Sequence, residues 1–197
     1  MPRAGLSRTR VVDEAAELAD EVGLEGLTLA ALAERLGVRQ PSLYKHLDSL
    51  AGLRRSISLQ AKGELGDVLR RAAVGRSGAD AITVMAGAYR EWALKHPARY
   101  TAAQWIAGPE DEEDTAASLG AIQVISDVLT AYELRGDDAI DAIRAFRSTL
   151  HGFVSLEAAG SFGLDRDLDR SFDRLVRGFV ITLTDWAETD RGVSDGR

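Results

Sequence analysis

Between Thr28 and Leu47, two short helical periodicities lie back to back, and their spacing leaves few folds open. In TLAALAERLGVRQPSLYKHL, Leu29, Leu32, Ala33 and Leu36 recur on one face of a helix whose start Thr28 caps with its hydroxyl. Gly37 stops that helix. Pro41 then falls where a helix tolerates proline best, at its first position, and a second short helix follows with Leu43 and Leu47 turned inward. Two short helices joined by a glycine-containing turn make a helix-turn-helix, and in its DNA-binding form the second helix enters the major groove. Gln40, Pro41, Ser42, Tyr44, Lys45 and His46 are then expected to face outward. Gln can pair with adenine, Pro and the Ser methylene can touch a thymine methyl, and Tyr, Lys and His reach phosphate oxygens.

The residues that carry this pattern resemble the amino-terminal DNA-binding domain of the TetR family of bacterial transcriptional regulators. Thr28, Ala33, Gly37, Val38, Leu43, Tyr44 and His46 match the family pattern of a hydrophobic helix, Gly-Val, and Leu-Tyr-x-His. The resemblance implies that Tyr44 and His46 touch phosphates, that Gln40, Pro41 and Ser42 read bases, and that Thr28 helps hold the backbone; Arg39 and Lys45 join them as DNA-facing cations. Many members carry a Lys at the start of the next helix, where this chain has Leu50, so Arg54 and Arg55 one turn on are the alternative source of charge there. LHGFVSLEAAGSFG, residues 150–163, is similar to the regulatory domain of a TetR subgroup with a Trp-His-Gly signature, Leu150 standing in place of the Trp.

A net charge of −7 does not argue against a nucleic-acid partner, because the acidity lies elsewhere. Residues 1–55 hold eight basic and eight acidic side chains; residues 56–197 hold sixteen basic and twenty-three acidic. Local potential at the contact surface, not net charge, sets phosphate affinity. In the first part, Arg3, Arg8, Arg10, Arg39, Lys45, Arg54 and Arg55 can form a basic face, with Asp13, Glu14, Glu17, Asp20 and Glu21 on the remainder of the first helix.

The 197 residues suffice for a small domain plus a larger one, contain no cysteine, and begin without the apolar core of a signal peptide. No run approaches the ~18 apolar residues of a membrane span. The expectation is a soluble, cytoplasmic, all-α protein of about nine helices with no membrane partner. It divides into a three-helix helix-turn-helix domain (1–48), a helical ligand-binding and dimerisation domain (49–190) and a tail (191–197).

Along the chain, a first helix starts at Ser7, carries Val11, Val12, Ala15, Leu18, Ala19 and Val22 inward, and ends at Gly23. Arg3, Arg8 and Arg10 either meet DNA or stay solvated. A long helix capped by Asp48 or Ser49 runs to about Ala73, roughly 37 Å, and Gly63 and Gly66 either bend it or permit close packing. A helix over 79–95 is broken at His96-Pro97, with His96 as a surface cap. A short aromatic helix over 98–106 ends at Gly108-Pro109. The acidic run EDEEDT opens the next helix as a solvated, dipole-complementing start rather than a metal site. Gly136 closes that helix, Asp137-Asp138 cap the one after it, which runs to Gly160, and a final helix carries Leu168 to Trp186.

The last two helices are apolar on more than one face, which predicts a homodimer through Phe153, Leu156, Phe172, Leu175, Val176, Phe179 and Leu183, with Gly152 and Ala159 allowing close approach. The resemblance implies the same arrangement and a small-molecule pocket, for which Met85, Tyr89, Trp92, Tyr100, Trp105, Phe146 and His151 are the candidates. Plain core is the alternative for each. No cofactor or metal is expected: the three histidines lack zinc spacing. A Ser-His-acid set from His151, Ser155 and Glu157 is disfavoured because two residues four apart on one helix do not converge with an oxyanion hole. The functional expectation is a ligand-released repressor of a palindromic operator. The alternatives are a helical ligand-binding or structural dimer without DNA binding, and a small hydrolase using His151.

Overall fold

The computed structural model describes residues 6–108 and 110–194, with side chains as far as Trp186. Arg3, Pro109 and the end of the tail beyond Ser194 lie outside the described residues. Among the described residues the chain is all-α, with eight α-helices and two 3₁₀ segments. Counting the 3₁₀ segment of the helix-turn-helix as a helix gives the expected nine.

The chain forms two compact units. The first comprises residues 1–64 and 95–117, the second residues 65–94 and 118–197. The helix-turn-helix therefore belongs to a body wider than 1–48, which takes in part of the following long helix and, after residues 65–94, also the segment 95–117.

In the first unit, α1 (Arg8–Val22) starts where the Ser7 hydroxyl accepts from the Arg10 N–H at 3.2 Å. It stops at Gly23, whose φ of 81° is unfavourable for other residues. Its inner face, Val11, Ala15, Ala16, Leu18 and Ala19, is buried. α2 (Leu29–Leu36) is capped by Thr28 Oγ1, which accepts from the Ala31 N–H at 3.2 Å, and closed by Gly37 in the left-handed region (φ 66°, ψ 33°). α3 (Leu50–Ala73) is capped by Ser49, not Asp48: its Oγ accepts from the Gly52 N–H at 3.0 Å. The core joins α1, Leu27, Leu32 and Ala33 to Leu43, Leu47, Leu53 and Ile57, with Ala98 and Ala102 completing it.

Those two alanines lie on α5 (Pro97–Ala103), a helix that ends three residues earlier than its sequence suggests. Its N-terminus is capped from outside: Asp20 of α1 accepts the Ala98 and Arg99 N–H groups, both at 3.0 Å. His96 is no surface cap. It is half-buried, with Nδ1 3.2 Å from the Asp20 carboxylate.

In the second unit, α4 (Gly78–Lys95) buries Ile82, Met85, Ala86, Tyr89, Trp92 and Ala93 as one stripe, its last residue Lys95 lying across the division. α6 (Glu112–Leu129) begins in the first unit and continues into the second from Ser118. It does not run to Gly136: a 3₁₀ turn over Thr130–Tyr132 and Glu133 at φ 62° end it, and Gly136, at φ 56°, is the first residue of α7 (Gly136–Ala158). α8 (Leu168–Ser194) continues four residues into the expected tail. Aromatic contacts tie α7 to α8, with ring centroids 5.3 Å apart for Phe146–Phe179 and 5.1 Å for Phe153–Phe172. Gly66 is buried where a Cβ would lie 3.5 Å from the Ala121 backbone, so it serves close packing, whereas Gly63 faces open space. No described helix is long and apolar enough to cross a membrane.

Candidate nucleic-acid interface

The second half of the helix-turn-helix is a six-residue 3₁₀ segment, Gln40–Lys45, rather than an α-helix. Its ends are held by i→i+3 bonds, the Ser42 N–H to the Arg39 carbonyl and the His46 N–H to the Leu43 carbonyl, both 2.8 Å. Pro41 donates no hydrogen bond, and the segment is too short for a run of i→i+4 bonds to outweigh the tighter pattern. Leu43 is its anchor, fully buried in the first unit's core. Around that anchor Arg39, Gln40, Pro41, Tyr44 and Lys45 are exposed, Tyr44 at 54 %, while Ser42 and His46 are half-buried. Thr28 is exposed with its hydroxyl engaged in the cap of α2.

The acidic side chains of α1 do not form a free face. Arg35 of α2 reaches three of them, Glu14 at 3.1 Å, Glu17 at 3.3 Å and Glu21 at 2.7 Å, which holds its guanidinium well above the ordinary arginine range. Asp13 accepts from Gln60 at 3.0 Å, and Asp20 pairs with Arg99 at 3.0 Å besides capping α5. These carboxylates fix α1 against its neighbours, which sequence periodicity alone does not reveal.

Two cations expected on the DNA-facing side are engaged within the chain. Arg54 donates to the Leu24 carbonyl at 2.8 Å, and Arg55 is bidentate to Asp111, at 2.7 and 2.6 Å, with Glu113 at 2.9 Å. Both are thus held by groups of the chain itself just after Leu50. Arg8 keeps a looser tie, to the Ser56 hydroxyl at 3.4 Å. Arg39 and Lys45 make no ion pair among the described residues, so free positive charge at the 3₁₀ segment is concentrated on them.

The acidic run opening α6 is likewise not simply solvated. Asp111 caps the helix through the Asp114 N–H at 3.0 Å, and Arg55, followed by that backbone bond, holds its carboxyl down to about 2. Asp114 is buried, ion-paired with the buried Lys62 of α3 and accepting the Ala107 N–H at 3.3 Å. No metal-binding group of three or more side chains is found among the described residues.

The pocket candidates are divided between the two units. Met85, Tyr89, Trp92 and Phe146 are buried and His151 half-buried in the second unit, whereas Tyr100 is buried in the first. Trp105, also in the first, lies beyond the end of α5 and is 52 % exposed. A cleft of about 370 Å³ in the second unit is lined instead by residues of α4 and α8, among them Arg90, Glu91, Leu94, Phe172, Asp173 and Val176. Arg90 is a structural hub there: bidentate to Glu157 at 2.7 and 2.5 Å, paired with Asp169 at 2.8 Å, and 4.9 Å from the Phe172 ring centroid.

Of the interface candidates, Phe172, Val176, Phe179 and Leu183 form the inner stripe of α8 and are buried within the chain itself. Phe153 and Leu175 are half-buried. Leu156 is 48 % exposed, joined on the outer faces of α7 and α8 by Ile140 and by Ile181 at 57 %. Gly152 and Ala159 are exposed. Sequence spacing missed Ile140 and Ile181 as surface positions because apolar residues on two faces of a helix cannot be sorted into inner and outer without the packing.

Known proteins place this arrangement. Residues 11–57 match the family described as bacterial regulatory proteins, tetR family, and residues 82–179 match the tetracyclin repressor-like, C-terminal domain. The chain is 43 % identical over 174 residues to the HTH-type transcriptional regulator Rv0681 of Mycobacterium tuberculosis, covering 88 % of this chain and 79 % of that protein. It is 33 % identical to the HTH-type transcriptional regulator YobS of Bacillus subtilis, covering 92 % and 95 %. A variant of TetR from Acinetobacter baumannii AYE, solved in complex with minocycline, shares the fold with a TM-score of 0.71 at 22 % identity, covering 93 % of this chain and 99 % of that one. The chain belongs to the TetR family of DNA-binding transcriptional regulators.

Proposed function

We propose that the protein is a cytoplasmic homodimeric repressor that reads a near-palindromic operator through two copies of the Arg39–His46 segment and is released by a small molecule bound in its second unit. The observation that carries this reading is the reading segment itself. One buried leucine, Leu43, fixes a tight 3₁₀ turn whose neighbouring side chains Gln40, Pro41, Tyr44 and Lys45 stand in solvent. Gln40, Pro41 and Ser42 are assigned to base edges; Thr28, Arg39, Tyr44, Lys45 and His46 to phosphates. The likeness to a TetR fold solved with minocycline supports an effector of small-molecule size. Such an effector must bind the DNA-incompetent state more tightly, since equal affinity for both states shifts nothing. The reading involves no enzymatic step.

The test is a gel shift of the full-length protein on duplex DNA from upstream of its own gene, competed by unrelated duplex. Specific retention at moderate salt is expected. A helical dimer that binds only small molecules would retain neither duplex preferentially, and that result would remove the repressor reading.

A further inference from the structure

Two helices, α3 and α6, run from the first unit into the second, and inside the first unit they are bolted to each other. Lys62 of α3 and Asp114 of α6 form a buried ion pair with side chains only 6 % and 9 % exposed. About two turns away along α3, Arg55 grips Asp111 and Glu113 at the start of α6. The two oxygens of Asp114 are divided between Lys62 and the Ala107 N–H, so the same carboxylate also holds the loop leading into α6. A buried pair of this kind is a poor source of net stability, because desolvation offsets the attraction, but removing one partner leaves an uncompensated charge. Its presence points to a positional role.

We infer that Lys62 and Asp114 are positioning residues for DNA reading: they make the conformation of the Gln40–His46 segment depend on where the first turns of α6 lie. The route is contiguous. From Lys62, α3 runs back through Ser58, whose hydroxyl donates to the Ala102 carbonyl of α5 at 2.8 Å, to Ile57 and Leu53. Those two share the core with Leu43 and Leu47, the residues that anchor the reading segment. A displacement of α6 that pulls Asp114 moves Lys62 or leaves it buried without a counter-charge, and either outcome disturbs the packing under Leu43. Neither side chain lies in the reading segment. The inference rests on reading Gln40–His46 as the DNA-facing segment, but its first test does not need DNA.

That test is hydrogen exchange on the full-length protein and on two variants. Asp114→Asn keeps the shape and one acceptor oxygen; Lys62→Met removes the cation while keeping the length. Exchange is expected to rise about tenfold or more at residues 107–117 and, in the same variant, at 40–47, with α7 unchanged as the internal control against global loosening. In duplex binding, the ratio of upstream to unrelated DNA affinity should fall about tenfold, the worth of one misplaced base contact. Binding to unrelated duplex should hold, because Arg39 and Lys45 are intact. Faster exchange confined to 107–117, or none in either variant, overturns the inference. A wild-type protein that prefers no duplex would remove the repressor reading, while the exchange result would still decide whether the two segments are linked.

Discussion

At the scale of single residues, the roles proposed for Gln40–His46 separate affinity from sequence choice. Lys45 is exposed and unpaired among the described residues, so Lys45→Ala should weaken binding to every duplex. It should also lower the slope of log affinity against log salt by roughly one unit per head. Gln40→Ala should leave that slope in place and relax base preference by ~1–3 kcal/mol at one position in each half-site. Fluorescence anisotropy on a panel of single-base operator variants at several salt concentrations separates the two effects. An unchanged preference in the Gln40 variant would mean that the segment sits on DNA in another register. Asp111 gives a prediction in pH. Arg55 and the Asp114 N–H depress its carboxyl from 3.8 to about 2, so the folded state favours the charged form. That stabilisation is complete above the unfolded value and is lost as pH falls from about 4 toward 2. Thermal melts of the wild type and of Asp111→Asn should differ by a constant amount from neutral pH down to about pH 4 and converge below it.

At the scale of elements, the caps decide where the reading segment begins. Thr28→Ala removes the acceptor for the Ala31 N–H and should cost about 1 kcal/mol. Gly37→Ala places a Cβ at φ 66°, ψ 33°, where space is open but the backbone is strained, and should cost about 1–2 kcal/mol. Chemical denaturation measures both. These two positions were legible in sequence because a cap is local: the hydroxyl, the glycine and the proline act within a few residues of themselves. The exposed set around Leu43 was legible for the same reason, although its 3₁₀ geometry was not, since six residues carry no periodicity that distinguishes three residues per turn from 3.6. What sequence could not supply were the partners far along the chain. Asp20 caps a helix 78 residues away, Arg55 meets Asp111 across 56, and Lys62 meets Asp114 across 52. The acidic run read as solvated because charge says nothing about which oxygen finds a cation. Gly26 passed unnoticed too: a Cβ there would fall 2.5 Å from the Val22 carbonyl, so the turn between α1 and α2 excludes any other residue without rearrangement.

At the scale of the whole molecule, a palindrome is read well only if two heads are held together, which makes the outer surface of the last two helices decisive. The inner stripe of α8, Phe172, Val176, Phe179 and Leu183, is already buried in its own subunit, so it cannot be the surface presented to a second copy. Leu156 on α7 and Ile181 on α8 remain exposed, and with the exposed Gly152 nearby in sequence they are the positions at which a partner helix is expected to pack. Because both side chains stand in solvent in the single chain, Leu156→Asp and Ile181→Asp should leave subunit stability within about 0.5 kcal/mol. In an interface, each would bury an unpaired carboxylate and separate the subunits. Sedimentation of the doubly substituted protein should therefore show a folded monomer by circular dichroism. Operator affinity should fall about a hundredfold or more, because the second head is no longer tethered at high effective concentration, while binding to unrelated DNA changes far less. A double variant that still sediments as a dimer would move the interface off these two helices, and a wild type that is monomeric at micromolar concentration would leave the two-headed reading of DNA without its support.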